Sequence, residues 1–299
     1  MEMYGTEYEQ GETCERGYAF FSRAWKEMEF HCVKLEEVCR QKDAEFLGIL
    51  NDIKYGRNLQ NVIAYLESNQ SSDLMEEAPY LVGTNAKADK INQAHMRALD
   101  EKTEKKFWAI IEGDVTYEDI KNISFAKQSL VVNVGAKVML TAIDANGEYV
   151  NGTMGTIIDI SKERGDATCI QVLTDKGKKV DVYRYEREIE RQDIEESKEK
   201  DKNGETVIVK KIVRKIVGSF KQFPIKIAWA MSIHKSQGQT FGQVNIDPRC
   251  WDSGQFYVAI SRAESIAGIH FMAPIMKQYI RTLSDEVIKI LENSLKVIE

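Results

Sequence analysis

Near residue 135 the spacing of apolar residues along the chain changes, and that change restricts the fold more than any single residue does. Before it, residues 15–70 read as helical. Asp43-Ala-Glu-Phe-Leu-Gly-Ile-Leu-Asn-Asp-Ile-Lys-Tyr55 places Phe46, Leu47, Leu50 and Ile53 on one face at helical spacing. Gly56 is a natural stop, and a second short helix is expected from Leu59 to Leu66. Pro79-Tyr-Leu-Val-Gly-Thr-Asn85 reads as a short strand ending in a polar turn. Lys87 to Leu99 then reads as a helix with Ile91, His95, Met96 and Leu99 inward. Strand, turn and helix form the repeating unit of an α/β sheet. From Gly135 to Ser219 the pattern becomes a series of short β-type runs: Val138-Met-Leu-Thr141, Gly155-Thr-Ile-Ile-Asp-Ile160, Cys169-Ile-Gln-Val-Leu173 and Lys179-Val-Asp-Val-Tyr183. Turn signals separate them, as in a small antiparallel barrel.

Glu186 to Glu205 is dense in charge and reads as a solvated loop or hairpin tip, with more strand material from Val207 to Val217. The α/β pattern resumes near Pro224. Ile225 to Ala230 and Gln243 to Asp247 read as strands, Asp252 as the N-cap of a helix through Phe256 and Ile260, and Gly268 to Met272 as another strand. Leu283 to Leu295 reads as a terminal amphipathic helix. The expected fold class is therefore α/β, with a small β-barrel inserted.

Composition narrows the function classes. With 43% hydrophobic and 29% charged residues over 299 positions, the chain has material for one sizeable core and a smaller one. No apolar run approaches the ~18 residues of a membrane span, and the polar, acidic first residues do not read as a secretory signal. The expected location is cytoplasmic. Five cysteines, odd in number and without a Cys-x-x-Cys pair, read as reduced buried thiols, and the four histidines are too scattered for a metal site. A net charge of −6 argues against a duplex-coating protein but permits a narrow strand-binding groove, because phosphate contacts are local.

Two segments carry the chemistry. Ser232-Ile-His-Lys-Ser-Gln-Gly-Gln-Thr-Phe241 crowds small polar side chains around Gly238 at a junction between elements, and offers hydroxyl, amide and backbone donors to phosphate oxygens. A polar turn at a sheet edge accounts for it equally. Gly254-Gln-Phe-Tyr-Val-Ala-Ile-Ser-Arg-Ala263 ends in Arg262, whose planar guanidinium suits a phosphate gaining charge in a transition state. A surface ion pair is the plainer account.

Taken together, the order and spacing of these segments resemble motifs V and VI of superfamily 1 DNA helicases, and within them the RecD/Pif type. The resemblance implies that Ser232, His234, Lys235, Ser236 and Gln237 meet single-stranded DNA, that Gly238, Gln239 and Thr240 face the nucleotide, and that Arg262 reaches the ATP γ-phosphate. Val38-Cys-Arg-Gln-Lys-Asp-Ala-Glu-Phe46 is similar to motif IV. It implies a second γ-phosphate arginine at Arg40, followed by Gln41. Val82 to Asn92 matches the family's strand-and-turn segment at the DNA backbone, with Thr84 and Asn85 as contacts. Gly135 to Thr141 and Val150 to Thr156 resemble the entrance to an inserted barrel of Src-homology-three type. Lys210, Lys211, Arg214, Lys215 and Lys221 either line a strand path or form a solvated β-face.

The family comparison implies residues 1–35 as the tail of a first RecA-like domain, 36–134 with 220–299 as the second, and 135–219 as the barrel. The phosphate-cradling Gly-x-x-x-x-Gly-Lys-Ser/Thr loop and an acidic magnesium pair are missing from the sequence; Lys176-Gly-Lys-Lys179 lacks the required glycine and hydroxyl. ATP and Mg²⁺ are thus expected only together with an N-terminal RecA-like domain, and neither is expected to bind this chain tightly. The chain reads as an excised piece, a truncated product or half of a split motor, monomeric, with single-stranded DNA and the missing domain as partners. The alternative is a non-catalytic nucleic-acid-binding scaffold that keeps the fold. A nuclease has no paired-carboxylate cluster behind it.

Overall fold

The computed structural model describes residues 40–282, except 122, 124, 126, 161–162, 165–166 and 201–205, together with the isolated positions 28, 38, 288 and 289. The expected first-domain tail and terminal helix lie essentially outside the described residues, as do Cys14, Cys32, Cys39 and His31. In chain order the elements are α1 (Ala44–Tyr55), α2 (Leu59–Asn69), β1 (Tyr80–Val82), α3 (Asn85–Arg97), β2 (Lys105–Trp108), β3 (Ile110–Gly113), α4 (Tyr117–Ile120), β4 (Ser129–Val132), β5 (Lys137–Leu140) and β6 (Met154–Asp159). They continue with the two-residue strands β7 (Glu163–Arg164) and β8 (Ala167–Thr168), then β9 (Ile170–Thr174), β10 (Lys179–Val182), β11 (Tyr185–Lys200), β12 (Thr206–Gln222), β13 (Ile225–Ile227), β14 (Ala230–Ser232), β15 (Val244–Ile246), α5 (Gln255–Ile260) and β16 (Ile269–Phe271).

The chain divides into two compact units, residues 1–75 with 240–299, and residues 76–239. In the first, α1 begins where the Asp43 carboxylate accepts from the Glu45 and Phe46 amides. It ends at Gly56, whose φ of 67° suits a residue without a Cβ. Phe46, Leu50 and Ile53 form its buried face, and Val62 and Leu66 that of α2. β15 and β16 pair in parallel, Val244 with Ile269 and Ile246 with Phe271, and the Phe271 ring stacks on Phe256 of α5 with centroids 6.3 Å apart. Helix α5 starts later than the sequence suggests. Its N-cap is Gly254 at φ 73°, while the Asp252 carboxylate accepts from the Ser253 amide instead.

In the second unit β1 and β14 pair in parallel and α3 packs on them. Of the expected inner face of α3, Met96 and Leu99 pack against the core and His95 stacks on Trp229 with centroids 5.2 Å apart, but the buried positions are others. Ala88 and Asn92 are buried, and the Asn92 amide donates to the Ala230 carbonyl and accepts from the Ala230 amide, both at 2.8 Å. Helical spacing could not identify this side chain, because it serves a strand edge as a surrogate neighbour. The short strands form an antiparallel sheet in the order β10-β9-β6-β5-β13, and β2–β4 is a separate antiparallel pair. Their shared core includes Leu130, Val138, Leu140, Ile157, Ile170 and Phe223. At Gly152 (φ 93°) an added Cβ would collide with the Gln239 amide, so the chain passes close under that side chain.

Residues 186–200 of the charge-dense stretch are strand rather than loop, and residues 201–205 lie outside the described residues. β11 and β12 make a long antiparallel ribbon in which Lys210 faces Glu196 (3.1 Å), Lys221 faces Glu186 (3.4 Å), and Lys215, opposite Arg191, reaches the diagonal Asp193 (2.8 Å). Opposite charges lie across the ribbon from one another, so the density that suggests a solvated tip in one dimension becomes cross-strand pairing in three. The basic stretch shares in this pairing, with Arg214 near Glu190 at 3.9 Å and Lys211 also engaged.

Candidate functional site

Within the first unit, residues more than 200 positions apart in sequence meet at the end of α5. The Arg262 Nε donates to the Val258 carbonyl at 3.0 Å and its Nη2 to the Ser261 hydroxyl at 3.0 Å. The Arg40 Nη1 donates to the Ser261 carbonyl at 2.7 Å and its Nε to the Thr240 hydroxyl at 2.8 Å. The two guanidinium groups are thus fixed on either side of one residue. Both are half-buried. Burial pushes the Arg262 pKa below the usual arginine value, and the charge of Arg40 adds to that. Among the described residues no carboxylate pairs with either. Two fixed cations without a counter-ion make a site for an anion with several oxygens, such as a phosphate.

Gln41 does not belong on the ligand side of this cluster. It is buried, and its amide nitrogen donates to the carbonyls of Ser261 (3.0 Å) and Ala263 (2.8 Å), so it braces the turn that carries Arg262. The Phe241 amide donates to the Arg262 carbonyl at 2.9 Å and ties Thr240 to the same turn.

The other expected residues lie in the second unit. Thr84 caps α3, its hydroxyl accepting from the Lys87 amide at 3.3 Å, and the Ser232 hydroxyl donates to the Asn85 side chain at 2.8 Å. Thr84 and Asn85 are exposed, as are His234, Lys235, Gln237 and Gly238 around the 3-10 turn Ile233–Ser236. Gly238 has φ 84°, a conformation that favours glycine. Ser236 is a correction: it is fully buried and its hydroxyl donates to the Ile233 carbonyl at 2.7 Å, so it closes the turn and cannot reach a ligand. Ser232 is buried as well and acts through Asn85. The half-buried Gln239 side chain lies over Gly152.

Beside Asn85, Ser232 and Lys235 opens a cleft of about 650 Å³ that sequence reading missed. Lys127 and Lys226 line it with Lys235. Burial lowers the pKa of the half-buried Lys226, and the charges of Lys235 and Lys127 lower it further. Lys235 belongs to the segment from Ser232 to Phe241, but Lys127 and Lys226 come from two other segments that no motif signals. Elsewhere burial lifts the Cys250 thiol to about 12, the state of an inert packed cysteine. Among the described residues no three His, Cys, Asp or Glu side chains come together to hold a metal ion. The arginine cluster therefore fits a nucleotide phosphate, whereas magnesium finds no ligand set among them. No described helix is long and apolar enough to cross a membrane.

No protein-family model matches the chain. The ATP-dependent DNA helicase Pif1 of Bdellovibrio bacteriovorus is 30% identical over 263 residues, covering 87% of this chain and 54% of that protein. The human ATP-dependent DNA helicase PIF1 is 26% identical, with 85% and 37% covered. A crystal structure of a Bacteroides Pif1 in complex with ADP-AlF4 matches with a TM-score of 0.69 at 28% identity, over 92% of this chain and 59% of that one. Another, bound to single-stranded DNA, matches with a TM-score of 0.63 at 27% identity. The chain spans about half the length of the first of these relatives, and the matched half is the C-terminal one. In sequence and in solved structure, the homologues of this chain are Pif1-type superfamily 1 helicases.

Proposed function

We propose that this chain is the C-terminal motor half of an ATP-dependent DNA helicase, which binds single-stranded DNA and supplies arginines to a nucleotide held by a further RecA-like domain. One observation carries the reading: Arg40 and Arg262 bond to the same residue, Ser261, with no carboxylate to neutralise them among the described residues. Two unneutralised guanidinium groups in one place are costly for folding alone, and a phosphate offsets that cost. When bound, ATP supplies the phosphoryl group whose transfer drives movement. Arg262 is positioned to stabilise charge on that group, with Arg40 beside it and Gln41 keeping the turn in place. Strand contact falls to Thr84, Asn85, His234, Lys235 and Gln237, on exposed positions near the N-terminus of α3. We read the antiparallel segment 135–219 as the family's barrel of Src-homology-three type. Magnesium, and the loop that cradles the phosphates, belong to the other domain.

The test is nucleotide hydrolysis in the presence of single-stranded DNA, comparing this chain with a form extended N-terminally by a phosphate-binding domain. The extended form should hydrolyse ATP and this chain alone should not. Strand binding that ignores nucleotide, with no hydrolysis by the extended form, would favour the scaffold reading.

A further inference from the structure

The β11–β12 ribbon has two unlike faces. Past the bulge at Ile189, pairing and alternation put Glu190, Gln192, Ile194 and Glu196 on one face, with Ile216, Arg214, Ile212 and Lys210 directly across. The other face carries Arg191, Asp193 and Glu195 with Lys215, Val213 and Lys211. The ion pairs follow the same division. Lys210 meets Glu196 and Arg214 meets Glu190 on the first face, and Lys215 meets Asp193 and Glu195 on the second. The second face is tied to the body of its unit, where Arg191 donates to Asp119 at 2.9 Å and to Asp114 at 2.7 Å. Among the described residues nothing covers the first face. Ile194, Ile212 and Ile216 are 62%, 71% and 61% exposed, and all three lie on it. Strand propensity alone would scatter isoleucines over both faces. A two-stranded ribbon without a packed face is also marginal in water.

We propose that this face is a self-association surface, covered in solution by the same face of a second copy of the chain. The charges select the occupant. One strand of the face is acidic, with Glu190 and Glu196, and the other basic, with Lys210 and Arg214, so they sum to zero and a polyanion gains nothing there. A two-fold axis parallel to the strands, running between two stacked ribbons, lays β11 of one copy over β12 of the other with the register kept. Ile194 then meets the partner subunit's Ile212, and Glu196 meets the partner subunit's Lys210. Each contact occurs twice. Stacked sheets pack aligned to within about 30° and about 10 Å apart, a gap that isoleucines fill. Edge-to-edge pairing fits less well. Two β12 edges would set Lys210, Lys211, Arg214 and Lys215 against the same cations of the other copy, and a β11 edge on a β12 edge leaves an open chain of copies. The matched face runs over residues 190–196, at about 3.3 Å per residue on two strands about 4.8 Å apart, a footprint of roughly 20 by 10 Å. That falls short of the roughly 1,000 Å² of a lasting interface, so the dimer is weak and forms at high protein concentration. It needs neither nucleotide nor DNA and stands independently of the helicase reading.

The test is analytical ultracentrifugation of the whole chain, free of nucleic acid, over a rising concentration series. The wild type should show a reversible monomer–dimer equilibrium. Ile212→Glu should weaken it at least roughly 10-fold, the factor for losing one buried isoleucine, while Ile212→Val keeps most of it. Ile212 is exposed in the single chain, so neither variant should shift the unfolding midpoint measured at low concentration. Glu196→Lys and Lys210→Glu should each weaken self-association as strongly, because each sets like charges opposite one another across the axis. An equal mixture of these two variants should pair again, a rescue that a role within the single chain would not give. A wild type that stays monomeric at every concentration overturns the proposal. So does self-association that Ile212→Glu leaves unchanged, a mixture that stays monomeric, or association that appears only when oligo-dT is added.

Discussion

The two cationic sites are built in opposite ways. In the first unit, Arg40 and Arg262 are half-buried, and each bonds to two fixed acceptors on neighbouring turns. In the second, Lys127, Lys226 and Lys235 reach into an open cleft, with carboxylates also in its lining. A planar guanidinium whose position is already fixed suits charge that develops at one point in one transition state. Ammonium groups on flexible stems suit a phosphate chain that moves past them. Cation count alone does not separate the two; the supporting acceptors do.

The comparison breaks most visibly at Arg262. In the extended form, Arg262→Ala should lower turnover on the order of 10³–10⁵-fold, with oligo-dT binding unchanged. Arg262→Lys should rescue little, because an ammonium cannot reproduce the bonds to Val258 and Ser261. Near-normal hydrolysis by either variant would remove the distinction between the sites.

The strand side depends on its scaffold. Asn92→Ala leaves the Ala230 amide and carbonyl without their partner and should cost about 2–6 kcal/mol in urea unfolding, at roughly 1–3 kcal/mol for each of the two orphaned buried groups. A cost well under 1 kcal/mol would mean that β14 stands without α3. Thr84 separates stability from contact. Thr84→Ala should lose about 1 kcal/mol of capping, whereas Thr84→Asp keeps the cap yet weakens oligo-dT binding by repulsion. Equal binding by Thr84→Asp would take that residue off the strand path.

The smallest effect concerns Lys226. Its folded pKa lies below its unfolded value, so between the two the unfolded chain holds the extra proton and stability rises with pH through that window. Lys226→Met should therefore be more stable than wild type at pH 7, by less than about 1 kcal/mol because solvent screens the half-exposed ammonium, and should lack that rise. It should also bind oligo-dT more weakly. A destabilised Lys226→Met would show that the lysine is structural.

Local chemistry was legible wherever its cause was local. Asp43 and Gly56 bound α1 as their residue types require, and the strands around 138, 156, 172 and 180 appear where the alternation places them. Gln41 and Ser236 show one limit: a polar side chain beside a motif looks like a ligand group until its burial is known. Charge density misled at 186–200, where the partner strand decides whether a charge is solvated or paired.

Period, capping residues and the two motif segments were sufficient by themselves to indicate an α/β chain with an antiparallel insertion and to single out Arg262, while Arg40 came from the resemblance of Val38 to Phe46 to motif IV. They depend on spacing within a few residues, and a linear sequence carries that directly. Only the tertiary structure decided that both arginines meet at Ser261, that the acidic and basic stretches neutralise each other across a ribbon, and that Lys127, Lys226 and Lys235 share a cleft. Each of these is a through-space convergence of distant segments, whose energy depends on burial and on neighbours that no local pattern specifies.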